Sequence, residues 1–335
     1  MKQRGIAILL ALSMALSLAL TGCSQESSMI MVGIAMADEA SSSAAGEAMQ
    51  SALEESGYTV ELAYAESADS QSTQISAMVE DGASILIVDP VDPEAASETL
   101  NSITVDVSDV AVIAYRDPLE DGAANSYVGR DYYAMGQQEA EHLVDRLLLE
   151  TRSDSITLEI VAGKGSSAEE AFEGAMDVLQ PYIDAGTVEI LSGNTDVEDC
   201  QTDDAAAWAE EMFSGLYADQ ELRAILCLGE GQAVEVVDTI LTSYTGTIYP
   251  VVTGADVSAE ALQYMSSNLL DMVSYCDTEP VVEQTLATVE TIVAGATVDE
   301  EYLVDNTAVT TETYQELMVD SGLYTANEDG TFTEN

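Results

Sequence analysis

Basic residues are scarce in this chain. Its 335 residues include only eight lysines and arginines against 62 aspartates and glutamates, which gives a formal net charge of −54. A protein that binds nucleic acid needs a basic surface to neutralise phosphates, and so few cations cannot build one. The composition therefore excludes nucleic acid as a partner. The acidic surplus is expected to serve solubility, at the expense of self-repulsion in the folded state.

Histidine and cysteine are also rare. The single histidine, His142, lies in the middle of a predicted helix, and no cysteine spacing is typical of zinc. Gly-x-Ser-x-Gly, His-Glu-x-x-His and Ser/His/Asp arrangements are absent. We therefore expect no enzyme, no metal site and no cofactor. Cys200, Cys227 and Cys276 form an odd set after Cys23, so at least one is free or pairs outside the chain, and a Cys200–Cys276 disulfide stays open.

The chain has one long apolar run, at its beginning. Lys2 and Arg4 precede Ile6–Leu20, and this run is too short for the roughly 20 residues of a membrane-spanning helix. Leu20–Cys23 resembles the bacterial lipobox, so we predict a lipoprotein signal peptide over residues 1–22. A lipid on Cys23 and a tether over residues 23–28 would then anchor the protein to the bacterial cell membrane, outside the cytoplasm. The alternative is a chance cysteine after an ordinary signal peptide.

The chain after residue 28 alternates short apolar runs with helix-like segments. Such alternation implies βαβ units and parallel sheets. It forms two series of similar size, which meet at the predicted helix Tyr132–Glu150. The 313 residues left of 335 after residue 22 also exceed the usual size of a single core. The predicted fold class is therefore α/β, with two Rossmann-like lobes built on parallel sheets.

Charged residues follow several predicted strands. Val110–Tyr115 ends in Arg116 and Asp117, and Ser126–Gly129 ends in Arg130 and Asp131. Ligands of parallel sheets bind beyond the carboxyl ends of the strands, so these edges are expected to face a ligand. A guanidinium fork beside a carboxylate suits a polyhydroxylated ligand. The alternative is a structural ion pair that only fixes the loop. Further residues expected at such edges are Asp38 in the first series and Glu230, Asp256 and Cys276 in the second.

Five segments carry a resemblance to a known family. They are Val32–Met36, Val112–Asp117, Phe172–Gly186, Val251–Asp256 and Ser321–Tyr324. In these segments, and in the order of its elements, the chain resembles the type I periplasmic sugar-binding proteins of ABC importers, most closely the xylose and multiple-monosaccharide group. The resemblance implies the periplasmic binding protein-like I fold, in which a three-strand hinge joins two lobes that close on a sugar. It places the crossings near Gly129, near Tyr275 and around residues 302–309.

These crossings set the expected domain boundaries. We predict an N-terminal lobe of residues 29–129 and 276–302, and a C-terminal lobe of residues 130–275 and 303–327. A loose tail is expected over residues 328–335.

The resemblance also implies ligand-contacting positions, and several of them differ in this chain. The family's Asp-Arg pair is reversed here as Arg116-Asp117, and its Asp-Asn-Asn run aligns with Gly165–Ser167. Asp131 and Asp256 match the family. The predicted ligand-binding residues are Asp38, Ser43, Tyr115, Arg116, Asp117, Asp131, Ser166, Ser167, Glu230, Asp256 and Cys276. The aromatic side chains that could stack on a sugar are Tyr115, Tyr132, Phe172 and Trp208.

Together these patterns predict a monomeric, lipid-anchored solute-binding protein of an ABC importer. It would capture a small polar ligand, a monosaccharide or a ligand with a cationic group, by closure of two lobes, and pass it to the permease subunits. The alternative is a sensory or scaffold paralogue that no longer binds sugar and contacts a membrane receptor. Its cleft would contain small and acidic residues and no aromatic face.

Overall fold

The structure is a computed structural model that describes residues 30–37, 39–106, 110–120 and 122–335. Residues 39–41 and 104–106 are described by their backbone alone. The predicted signal peptide, the predicted tether, the predicted lipidation site Cys23 and the predicted ligand contact Asp38 all lie outside the described residues.

Six parallel strands form the first sheet. They are β1 (Met31–Met36), β2 (Thr59–Tyr64), β3 (Ile85–Val88), β4 (Ala111–Arg116), β5 (Ser126–Arg130) and β11 (Glu301–Val304). Their order across the sheet is β11-β5-β4-β3-β1-β2.

The second sheet repeats this arrangement. Its strands are β6 (Ile156–Val161), β7 (Val188–Glu189), β8 (Ala224–Cys227), β9 (Val251–Gly254), β10 (Met272–Cys276) and β12 (Asn306–Thr310). The order is β12-β10-β9-β8-β6-β7, and all pairs are parallel except β10 with β12. Twin sheets of the same order confirm the predicted α/β class with two lobes.

Helices cover both faces of the sheets. In the first half of the chain they are α1 (Glu39–Glu55), α2 (Ala68–Glu80), α3 (Pro93–Asp106), α4 (Tyr132–Arg146) and α5 (Ser166–Asp184). In the second half they are α6 (Val197–Cys200), α7 (Ala205–Ser214), α8 (Gln232–Ser243), α9 (Ala259–Ser266) and α10 (Thr278–Val293).

Alternation along the buried strands builds the core on both sides of each sheet. In β8, Ala224 and Leu226 face the cluster that includes α4 and α5, whereas Ile225 and Cys227 face the cluster that includes α7 to α9. Period-two alternation with both faces apolar is what a doubly covered parallel sheet requires. The short apolar runs of the sequence therefore mark strands that are buried on both faces.

The chain crosses between the sheets at three aspartates. Asp131 links β5 to α4, Asp277 links β10 to α10, and Asp305 links β11 to β12. We therefore define the N-terminal lobe as residues 30–130 and 278–304, and the C-terminal lobe as residues 132–276 and 306–335. The predicted boundaries fall one or two residues before these crossings.

The tail of the chain differs from its prediction. The segment expected to be loose contains β14 (Phe332–Glu334), which pairs antiparallel with β13 (Tyr324–Ala326). The Phe332 ring packs edge-on against Tyr314, with centroids 6.1 Å apart. The prediction of a loose tail was wrong because Phe332 packs against Tyr314, a residue that lies before the hairpin in the sequence. Between β12 and β13 the chain forms a π-helical turn over Gln315–Asp320.

Helices α4 and α5 approach each other closely. A Cβ at Gly136 would collide with the backbone carbonyl oxygen of Ala171, and one at Gly174 would collide with that of Tyr133. Glycine at both positions allows the backbones to touch. The contact fixes the relative position of two helices whose N-termini face the gap between the lobes.

The described ranges contain no membrane-spanning helix, no metal-ion cluster and no disulfide. Within the described ranges no helix is both long and apolar enough to cross a membrane. In the same ranges no three His, Cys, Asp or Glu side chains are grouped so as to hold a metal ion. Cys200, Cys227 and Cys276 are free thiols, so the structure does not join Cys200 to Cys276.

Candidate ligand-binding cleft

A cleft lies between the carboxyl ends of the two sheets. It consists of two cavities that share Arg116, Tyr132 and Glu230 as lining residues. The larger, of about 570 Å³, also contains Arg130 and Cys276, and we call it the hinge cavity. The smaller, of about 380 Å³, lies among the loops after the strands, and we call it the loop cavity. Both are large enough for a small ligand.

The structure brings most of the sequence-predicted residues to this cleft. Those that line the hinge cavity are Ser43, Tyr115, Arg116, Glu230, Asp256 and Cys276. Asp117 and Ser167 line the loop cavity. The carboxyl ends of strands from both lobes therefore meet at one gap, although contact of these residues with a ligand stays a prediction.

Asp131 and Ser166 are placed differently. The Asp131 carboxylate caps α4, where Oδ1 accepts a hydrogen bond from the Ala134 amide at 2.7 Å. The Ser166 hydroxyl donates to Glu120 Oε1 at 2.8 Å. Neither residue lines the two cavities. Their side chains are occupied by the protein itself, which the strand-end pattern did not predict.

Arg116 ends β4 in a left-handed conformation, with φ of 66°. Its Nε lies 3.3 Å from Oδ1 of the fully buried Asp89 and 3.6 Å from Oδ2 of Asp117. Ser42 Oγ donates to the other Asp89 oxygen at 3.0 Å. Burial raises the pKa of Asp89 to about 6, and the attraction of Arg116 limits this rise. The strained backbone thus holds a guanidinium over the edge of the sheet.

The ends of β4 and β5 are tied together by Tyr127. Its hydroxyl lies 2.9 Å from the carbonyl oxygens of both Arg116 and Arg130, and its one hydrogen is shared between these two acceptors. A Cβ at Gly129 would collide with this hydroxyl, so the glycine is required by the close approach. Both arginines that face the cleft are therefore held by one buried tyrosine.

Arg130 connects the two lobes and is missing from the predicted ligand contacts. Its Nη1 donates to the Ala255 carbonyl oxygen at 2.6 Å, and its Nη2 lies 3.5 Å from Asp256 Oδ1. The guanidinium also lies 5.9 Å from the centre of the Tyr132 ring, within the range of a cation–π contact. Burial disfavours the charged form of Arg130, but the neighbouring acidic groups, with Asp256 foremost, together outweigh this effect and raise its pKa. The signal for Arg130 was present in the sequence, as a second arginine at a strand end.

Glu230 stands at the centre of the cleft, just before α8. Within the described part of the chain its carboxylate makes no hydrogen bond or ion pair within 4 Å, although the side chain is open to the cleft solvent. Desolvation by the cleft walls raises its pKa to about 7, and the nearby Asp256 carboxylate adds to the rise. Glu230 therefore has no counter-ion among the described residues, and it borders both cavities.

Tyrosines supply the aromatic surface of the hinge cavity. Tyr132, Tyr275 and Tyr324 line it, together with the deeply buried Tyr115. Phe172 and Trp208 instead pack within the hydrophobic clusters of the C-terminal lobe. Tyr324, Glu334 and Asn335 come from the terminal hairpin, and no local sequence pattern predicts that this hairpin reaches the cleft.

The comparisons with known proteins agree with this geometry. Residues 32–297 match the periplasmic binding protein domain family. The multiple sugar-binding periplasmic protein SbpA of Azospirillum brasilense is 27% identical over 324 residues, which cover 88% of this chain and 89% of that protein. The multiple sugar-binding periplasmic receptor ChvE of Rhizobium radiobacter is 26% identical over 325 residues, 89% of this chain and 91% of that protein.

A solved structure with a bound ligand is also similar. It is an ABC transporter solute-binding protein from Clostridium phytofermentans with bound β-D-glucose, 28% identical, with a TM-score of 0.79 over 90% of this chain and 99% of that chain. The resemblance predicted from the sequence is confirmed. The family match covers most of the chain, and the twin sheets and the cleft between them agree with it. The chain belongs to the periplasmic binding protein domain family.

Proposed function

We propose that this protein captures a monosaccharide between its two lobes and delivers it to the permease subunits of an ABC importer. The observation that carries the proposal is the composition of the hinge cavity. Arg116 and Arg130 face carboxylates and tyrosine rings from both lobes within one enclosed space. The sugar-binding relatives and the glucose-bound neighbour support the same ligand class.

Each part of the cleft suits one part of a sugar. Guanidinium N–H groups donate to hydroxyl oxygens, and carboxylates accept from hydroxyl hydrogens. The faces of Tyr132, Tyr275 and Tyr324 offer apolar surface to the C–H groups of a pyranose ring. Rotation at Asp131, Asp277 and Asp305 would close the lobes, since the described chain passes from one lobe to the other at these short connections.

The predicted signal peptide and its lipobox-like end bear on where in the cell the protein acts. We propose that the signal peptide is removed before Cys23 and that a lipid on this cysteine anchors a monomer outside the cytoplasmic membrane. The lipobox-like Leu20–Cys23 and the polar segment after it support the anchor. A tethered receptor would stay near the permease that it serves.

The aromatic surface argues against the sensory alternative. That alternative predicts a cleft of small and acidic residues without an aromatic face. Four tyrosines line the hinge cavity beside the two arginines, so the groups that a sugar needs are present.

Calorimetry with D-glucose, D-galactose, D-xylose and myo-inositol tests the proposal. We expect at least one sugar to bind, and Tyr275→Ala to weaken that binding about tenfold because the ring loses its contact with the sugar. Tyr249→Ala is the matched control, since Tyr249 is partly exposed and lies outside the cleft. Absence of binding for every sugar, or equal effects of the two variants, would contradict the proposed role.

A further inference from the structure

We infer that the sugar taken by this cleft carries a primary amine, and that Glu230 pairs with its ammonium group. This inference rests on the proposed function and names the substrate class of the same cleft. It starts from the balance of charge among the groups that face the ligand.

The cleft holds more carboxylates than cations. Among the side chains that line the two cavities, Arg116, Arg130 and Lys164 are basic and five are acidic, namely Glu66, Asp117, Glu230, Asp256 and Glu334, which leaves a surplus of two negative charges when all are ionised. Arg116 is paired with Asp89 and Asp117, at 3.3 and 3.6 Å. Arg130 is paired with Asp256 at 3.5 Å and with a backbone carbonyl. Both guanidinium groups are therefore already matched by acids before a ligand enters.

Among the described residues, the lining acids without an ion pair are Glu66, Glu230 and Glu334, and of these Glu230 alone borders both cavities. A ligand in either cavity therefore meets Glu230. The lysine of the loop cavity, Lys164, forms an ion pair with Asp203. Among the described residues no cation lies within ion-pair distance of Glu230. A counter-ion for Glu230 is thus expected from the ligand.

Closure of the lobes makes this pairing decisive. When water leaves the cleft, a carboxylate without a counter-ion is costly to bury. A hydroxyl group offers it one neutral donor, whereas an ammonium group offers up to three donors and a full positive charge. A sugar with an amine therefore gains affinity on closure that a neutral sugar lacks.

The other possibility for Glu230 is to take up a proton. The ionised form of Glu230 is opposed by desolvation and by the carboxylates of Asp256 and Asp117, and it is favoured by Arg116 and Arg130. Since desolvation and Asp256 raise the pKa of Glu230 to about 7, a neutral sugar would bind better as the pH falls below 7. An ammonium ligand needs the carboxylate and would bind worse over the same range. The two cases therefore differ in the sign of the pH dependence.

Titration calorimetry of the mature protein with matched sugars tests the inference. The probes are D-glucosamine against D-glucose and D-galactosamine against D-galactose, each at pH 7 and pH 5.5. We expect one amino sugar to bind about tenfold or more tightly than its parent at pH 7, the size of one charge-assisted hydrogen bond. Its affinity should fall about tenfold at pH 5.5.

Two variants separate the role of Glu230 from that of overall charge. Glu230→Gln should abolish the preference for the amino sugar, whereas Glu210→Gln, which removes one exposed acid of α7 away from the cleft, should keep it. A parent or N-acetylated sugar that binds as tightly as the amino sugar would overturn the inference and leave the proposed function intact. Spermidine, a polyamine, serves as a further probe. Absence of binding for every sugar, with or without binding of spermidine, would overturn both the inference and the proposed function.

Discussion

At the scale of single residues, two buried acids of the C-terminal lobe differ in their partners. Glu159 accepts hydrogen bonds from the Ser192 amide at 3.1 Å, the Ser192 hydroxyl at 2.6 Å and the Tyr217 hydroxyl at 2.5 Å. Glu139 is fully buried under the second sheet, and neither of its carboxyl oxygens makes a hydrogen bond. The Thr253 hydroxyl lies beside it without suitable hydrogen-bond geometry. Glu139 is therefore easier to bury as a neutral acid.

This burial predicts how stability depends on pH. Burial raises the pKa of Glu139 from 4.5 to about 8. Because the folded state holds the proton more tightly than the unfolded state, the contribution of Glu139 is full below pH 4.5 and is lost as the pH rises to about 8. Glu139→Gln stays neutral, so it should raise the free energy of unfolding at pH 9 by on the order of 5 kcal/mol relative to the wild type.

Urea unfolding of both proteins at pH 5.5 and pH 9 measures this difference. Glu159→Gln is the matched control, because it replaces a carboxylate that three donors satisfy. It should lower stability by about 1 to 3 kcal/mol, because one of the two acceptor oxygens becomes an NH2 group that cannot accept from the buried donors. Equal loss of stability with pH in the wild type and Glu139→Gln would show that Glu139 does not titrate in this range.

At the scale of elements, the N-terminus of α5 lacks a cap from its own lobe. Its N-cap residue is Gly165, which has no side chain to accept a hydrogen bond. Glu120 of the N-terminal lobe takes this place, and Oε1 accepts from the Ser166 amide at 3.3 Å and from its hydroxyl at 2.8 Å. The backbone of Glu120 is held in turn by Ser97 Oγ, 2.8 Å from its amide. A helix of one lobe is thus capped by an acid of the other.

Such a cap should favour the closed arrangement. A cap with a favourable helix-dipole contact contributes about 1 kcal/mol, so Glu120→Ala should shift the ratio of closed to open protein about fivefold toward open. Small-angle X-ray scattering of the sugar-free protein would show a larger radius of gyration, and sugar affinity would fall. Glu169→Ala removes an exposed acid from the same helical turn without touching the other lobe, and should leave both quantities unchanged. Equal radii of gyration for the wild type and Glu120→Ala would show that the Glu120 cap does not favour the closed arrangement.

The elements also show what the sequence could predict. The strands whose ends carry Arg116 and Arg130 were readable because apolar, β-branched runs stop at a charge. The capping of α5 by Glu120 was not, because it joins residues 46 positions apart across two lobes. Tyr324 reaches the hinge cavity through the β13–β14 pairing, which depends on the packing of Phe332 rather than on a strand-like pattern. Local patterns thus located the edge of each sheet, whereas side chains delivered by tertiary contacts had no local signal.

At the scale of the whole molecule, the acidic surplus is hardly compensated. Of the cations in the described part of the chain, Arg116, Arg130, Arg146, Arg152 and Lys164 each already lie within 4 Å of an aspartate. Most of the 62 acidic residues of the sequence therefore have no basic residue to pair with. Like charges at this density repel one another more in the compact state than in the extended chain, and the repulsion opposes folding.

Salt should therefore stabilise this protein. At an ionic strength of 0.1 M the screening length is about 10 Å, comparable to the spacing of surface charges, so added monovalent salt weakens the repulsion in the folded state most. We expect the melting temperature to rise by a few degrees between low salt and about 0.5 M, a range over which screening lengths fall to a few ångströms. NaCl and KCl should act alike, because screening depends on ionic strength and not on the identity of the cation. A flat or falling melting temperature would mean that the repulsion is already neutralised at low salt, and a response to only one of the two salts would indicate a specific ion site instead of general screening.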